Sequence, residues 1–145
     1  MISPAWPRAR RGRSQPTRSR RRRHDPALLM KTTFEYPYFA VRISGGSDAL
    51  IEVAGELDLA SVPVFEGAVR ELALSSRRRA VLDLGRLAFI DVAGLHAVLD
   101  LHAQCLDVST DLTITPGPRA VQRVFELTGI DGLLPFRRRS GLAEG

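Results

Sequence analysis

The apolar residues of this chain change period as they go, every second position in some stretches and every third or fourth in others, and that alternation leaves few folds open. Val41 and Ile43 alternate with Arg42 and Ser44, Gly45-Gly46-Ser47-Asp48 supplies turn chemistry, and Leu50-Ile-Glu-Val-Ala54 resumes the run, which predicts a β-hairpin that opens the domain. After Gly55-Glu-Leu-Asp58, Ser61 stands before Pro63 as a helix N-cap. Val62, Phe65, Val69 and Leu72 then share one face of a helix that ends near Ser75-Ser76. Ala80-Val-Leu-Asp-Leu84 is almost continuously apolar, as strands covered on both faces are, and is expected at the centre of a sheet.

Asp91 is placed to cap the next helix, in which Leu95, Val98, Leu99, His102 and Leu106 make one stripe and His96, Asp100 and Gln104 the opposite one. Gly94 is unfavourable in a first helical turn and predicts close packing against a neighbouring strand. Leu112-Thr-Ile-Thr115 alternates as a strand, and Pro116-Gly-Pro118 leads into a third helix with Val121, Val124 and Phe125 inward. Gly129 followed by Ile130 has the pattern of a left-handed C-cap with its hydrophobic contact, and Leu133-Leu-Pro-Phe136 adds a short edge strand, where proline is tolerated. The order β-β-α-β-α-β-α-β predicts an α/β fold, a mixed sheet of four to five strands covered by three to four helices.

Charge divides the chain. Residues 1–29 hold nine arginines against Asp25 alone, while residues 30–145 carry a net charge of −3, so the excess of +5 over the 145 residues belongs to the N-terminal segment. That segment is rich in Pro, Ser and Arg without apolar periodicity, and is expected to be disordered over residues 1–30. Such an arm binds phosphate backbones or anionic membranes weakly and in a salt-sensitive way. Alternatively it is passive upstream sequence, with Met30-Lys-Thr-Thr-Phe34 as the native start, in keeping with a chain that uses twenty arginines and one lysine. The domain is expected over residues 31–139, with a flexible end at 140–145. Pro26-Ala-Leu-Leu-Met30 is too short for the apolar core of a secretory signal, and no run approaches the roughly 18 residues of a membrane helix. The single cysteine, Cys105, fits a reducing cytoplasm.

Catalytic chemistry finds little footing. His102 sits in an apolar stripe and reads as a core side chain. His96 and Asp100, four apart on a solvent face, fall short of the roughly four ligands of a structural zinc. Cys105 has no cationic neighbours in sequence to activate it. There is no phosphate-binding glycine loop and no recognisable Ser/His/Asp arrangement, so an enzyme, a cofactor or a metal centre is not expected.

Four spaced motifs carry a family resemblance over residues 39–137. They are Gly55-Glu-Leu-Asp58 after a strand, Val81-Leu-Asp-Leu84, then Phe89-Ile-Asp91-x-x-Gly94-Leu95 at a helix start, and Val121-x-x-Val-Phe-Glu-Leu-Thr-Gly129-Ile. Together they resemble the STAS domain, and within it the anti-sigma factor antagonists. The resemblance implies a binding module that docks on an anti-sigma factor, often an ATPase-fold serine kinase, and so frees a sigma factor for transcription. It implies that Asp58 and Asp91 match the acidic positions beside the family's phosphorylation site and that Gly94 and Leu95 match its helix start. Val92 takes the place of the acceptor serine, and Ala93 follows it. Neither residue can accept a phosphoryl group, and Ser75, Ser76, Ser109 and Thr110 are distant in sequence. The implied partner surface is therefore Asp58, Asp91, Val92, Ala93, Gly94 and Leu95, in a regulator that cannot be switched off at the usual site. The alternatives are a STAS subunit of another complex, such as a lipid transporter, and a degenerate paralogue.

Overall fold

The computed structural model of the chain describes residues 32–137; the arginine-rich segment and the C-terminal end lie outside them. Five strands, β1 (Thr32–Tyr36), β2 (Phe39–Gly45), β3 (Asp48–Leu57), β4 (Arg79–Ile90) and β5 (Asp111–Thr115), and three helices, α1 (Val62–Leu72), α2 (Val92–Asp107) and α3 (Arg119–Thr128), make up these residues. The strands lie in the sheet in the same order as in the chain. β1, β2 and β3 pair antiparallel, whereas β3, β4 and β5 pair parallel through α1 and α2 as crossovers. The sheet is mixed and the fold α/β, as the alternation of periods predicts.

The predicted hairpin is β2 and β3, turning at Gly46-Ser47, but it does not open the domain, because β1 precedes it and pairs along its whole length with β2. β1 escapes a reading by period because five residues, Thr-Thr-Phe-Glu-Tyr, offer a single buried apolar position, Phe34. β4 runs on to Ile90, well past the apolar run at 80–84, and β3 rather than β4 holds the centre. The predicted strand at Leu133–Phe136 is instead a 3-10 turn over Ile130–Leu133 followed by one bridge, Phe136 beside Ile114. Pro135 has no N–H to extend a ladder, and Leu133 is 64% exposed, so nothing holds a strand there.

Ile51, Val53 and Leu57 of β3, Leu82 and Leu84 of β4 and Ile114 of β5 point inward and form one core with Phe65 and Leu72 of α1, Leu101 of α2 and Phe125 of α3. Two helix readings shift. α1 ends at Leu72, not near Ser75-Ser76, because Ala73 turns left-handed (φ 52°) and starts a 3-10 turn over Leu74–Ser76. On α2 the buried set is Gly94, Leu95, Ala97, Val98, Leu101 and Cys105, whereas Leu106 is 67% exposed and His102 half-buried. Leu95 and Val98 are buried and His96, Asp100 and Gln104 exposed, as the spacing predicts, but the buried face is turned toward Ala97, Leu101 and Cys105 and away from Leu106. Gly129 is left-handed (φ 79°) with Ile130 packed on the core, as its pattern predicts.

Candidate functional site

The parallel arrangement brings the C-terminal ends of β3 and β4 side by side, Leu57 paired with Ile90, and the chain leaves both strands at one end of the sheet. From β3 it passes through Asp58-Leu59-Ala60-Ser61 into α1, and from β4 through Asp91 into α2. These two exits form the candidate site.

Asp91 ties them together. Its Oδ1 accepts from the Gly94 amide at 3.0 Å, capping the positive end of α2, and its Oδ2 accepts from the Leu59 amide at 3.2 Å, holding the neighbouring loop. The Asp91 amide in turn donates to the Leu57 carbonyl at 3.3 Å. Asp58 is occupied within its own turn: its Oδ1 accepts from the Ser61 amide at 3.0 Å, and its amide donates to the Ser61 hydroxyl oxygen at 3.0 Å. Ser61 occupies the N-cap position of α1, as its place before Pro63 suggests, but its hydroxyl does not cap the helix. It donates to the Glu56 carbonyl at 2.7 Å and is 2% exposed. Both aspartates thus act as struts of the two loops.

Gly94 shows why glycine begins this helix. A Cβ on it would strike the Leu57 carbonyl oxygen and stand 2.7 Å from Ile90 Cγ1, so the first turn of α2 lies directly on the strand ends, as its close packing predicts. Leu95 is 1% exposed and anchors the same turn from inside. Two large apolar side chains stand exposed here, Val92 at 62% and Leu59 at 75%, with Ala93 half-buried. Phe89, near the end of β4 and paired with Glu56, is 48% exposed. Of the six residues singled out in sequence, Asp58, Asp91 and Gly94 build the site, Leu95 supports it, and Val92 and Ala93 form its face.

Leu59 and Ser61 were missed in sequence. Leu59 carried one signal, a large apolar residue in a four-residue loop with no amphipathic element to bury it. Ser61 stands far from Val92 in the chain, yet it lies in the loop that Asp91 holds; its burial and hydrogen bonds keep its hydroxyl from solvent. Ser109 and Thr110 lie at the far end of α2, and Thr110 Oγ1 is buried against the Leu74 carbonyl at 2.8 Å. Cys105 is buried, and desolvation pushes its thiol from 9.0 up to about 11. Among the described residues no group of three or more His, Cys, Asp or Glu side chains is placed to hold a metal, and no helix is long and apolar enough to cross a membrane.

Comparison with known proteins identifies the family and the fold. The family described as Mlab, STAS domain matches residues 40–135. A Bordetella bronchiseptica protein, BtrV, that carries the name anti-sigma factor antagonist is 33% identical over 81 residues, which is 56% of this chain and 70% of that protein. The crystal structure of an anti-sigma factor antagonist from Mycobacterium paratuberculosis superposes with a TM-score of 0.63 at 22% identity, covering 70% of this chain and 87% of that one. The phosphorylated form of the Bacillus cell fate determinant SpoIIAA superposes with a TM-score of 0.51 at 20% identity, covering 70% and 92%. At such identities the two structures speak for the fold.

Proposed function

Because the chain belongs to the STAS domain family, we propose that it is an anti-sigma factor antagonist that docks on a kinase-fold anti-sigma factor through the end of the sheet where α2 begins. Release of a sigma factor for transcription, and so action in the cytoplasm, follow from that docking. The observation that carries the reading is the pair Leu59 and Val92, two apolar side chains held out in solvent by the two hydrogen bonds of one carboxylate. Exposed apolar residues on a rigid, hydrogen-bonded frame suit a partner surface, since little entropy is lost on binding. Val92 supplies no hydroxyl and Ser61 is enclosed, so the partner binds without transferring phosphate at this site.

A second reading, a STAS subunit of another complex such as a lipid transporter, shares the missing hydroxyl. The two separate by partner. Capture from native lysate is expected to recover an ATPase-fold anti-sigma factor, whose affinity, measured directly by calorimetry, should fall at least about tenfold with Val92→Asp or Leu59→Asp, which bury a charge in the contact. Recovery of transporter subunits instead, or undiminished affinity in both variants, would overturn the docking reading.

A further inference from the structure

α1 and α2 each run from the end of one parallel strand to the start of the next, so the two helices lie on the sheet in the same direction. Between them is a cleft of about 190 Å³. Phe65 of α1 and Leu101 of α2, each 1% exposed, line it from the core. Its rim is polar, with Glu66 and Arg70 on one helix and Asp100 and Gln104 on the other, all four exposed. Each wall thus carries a carboxylate and, four residues farther along, a side chain that donates hydrogen bonds. Because the helices share a direction, both carboxylates stand toward one end of the cleft and both donors toward the other. Glu66 precedes Arg70 in the order that favours an ion pair on one helix face. Yet neither residue, nor Asp100 or Gln104, makes an ion pair or a side-chain hydrogen bond among the described residues.

We propose that this cleft binds a small linear zwitterion, a short ω-amino acid, with its ammonium taken by Glu66 and Asp100 and its carboxylate by Arg70 and Gln104. Four residues of helix rise about 6 Å, so the two charges of the ligand stand about that far apart, a separation that roughly three or four methylenes supply. Those methylenes lie against Phe65 and Leu101, and the cleft is large enough to hold them. A guanidinium takes a carboxylate through two parallel hydrogen bonds, which fixes the orientation of the ligand as well as holding it. Arg70 Nη2 rests 3.7 Å from where a Cβ on Gly67 would stand. No pairing holds it there, and exposed side chains change rotamer within nanoseconds, so it turns readily to a carboxylate. A ligand with one charge would satisfy only one end of the cleft. This inference does not rest on the docking reading, because the cleft is lined by the middle of α1 and α2, whereas Leu59 precedes α1 and Val92 begins α2.

The test is a titration of the isotope-enriched full chain with γ-aminobutyrate, followed through its amide signals. Saturable shifts are expected around Glu66 and Arg70 and around Asp100 and Gln104, with Asp83 and Thr113 unmoved and a dissociation constant of about 1 mM or tighter. Butyrate and butylamine, each keeping one of the two charges, should bind at least about tenfold more weakly, as should γ-aminobutyrate to Arg70→Gln or Asp100→Asn. Both substituted side chains are exposed and unpaired among the described residues, so each variant should keep the wild-type melting temperature. The absence of saturable shifts up to roughly 10 mM ligand would overturn the proposal. So would butylamine binding as tightly as the zwitterion, or undiminished binding in both variants.

Discussion

Asp91 uses each carboxylate oxygen for a different element, and that division predicts how substitutions there will behave. Asp91→Ala removes the cap of α2, worth about 1 kcal/mol, together with the hydrogen bond that holds Leu59. Denaturant midpoints should report a loss of about 1–2 kcal/mol. Asp91→Ser should recover part of the cap while the Leu59 amide alone exchanges faster with solvent, a difference that hydrogen exchange resolves. Gly94→Ala is expected to destabilise by about 2 kcal/mol despite alanine's better helix propensity, because its methyl group meets a backbone carbonyl and Ile90 rather than open space; an unchanged melting temperature would contradict the close approach. At the neighbouring position Val92→Ser restores a nucleophile on an exposed first turn. With an anti-sigma kinase that binds the protein, phosphate incorporation should appear in Val92→Ser and be absent in the wild type. Binding without incorporation in that variant would mean that more than the hydroxyl is missing.

Elements obey two local rules that can be checked separately. Ala73 closes α1 at φ 52° and ψ 67°, where glycine suffers no Cβ crowding. Ala73→Gly should therefore stabilise the fold by about 0.5–1 kcal/mol, in spite of the added freedom of the unfolded chain, as read by thermal melting. In α2, burial holds the Cys105 thiol protonated up to about 11, against 9.0 unperturbed. The unfolded chain gives up this proton first, so stability should fall as pH rises from about 9 to 11 and be insensitive to this group below that window. Alkylation at pH 8 should wait for unfolding. How much of the elements was legible in sequence follows the same physics. The hairpin, the three helices, the Gly129 cap and the Asp91 cap each have a local cause, a turn residue, a period or a capping side chain, and each could be read. β1 could not, since one buried phenylalanine in five residues makes no period, and the face of α2 was legible only in part: Leu95 and Val98 are buried and His96, Asp100 and Gln104 exposed as their spacing predicts, whereas Ala97, Leu101 and Cys105 join the core in place of Leu106. The site divides in the same way. Its frame, Asp91 and Gly94, was visible as capping and packing, whereas Leu59 joins it through a hydrogen bond between residues 32 positions apart in the chain.

Across the whole molecule charge is segregated, with nine basic and fourteen acidic side chains over residues 32–137 and a strongly basic segment before them. Deleting residues 1–29 should abolish whatever retention the protein shows on a nucleic-acid column, and full-length retention should vanish steeply with salt. Retention by the deleted form would place a cationic surface on an acidic domain and contradict this division. The sheet has one further property with a consequence for how the protein is made. Its spatial order repeats its order in the chain, so each strand, as it leaves the ribosome, finds the edge it needs already synthesised and still unpaired. No strand has to be held in reserve for a partner that emerges later, no completed pair has to reopen, and assembly can keep pace with translation.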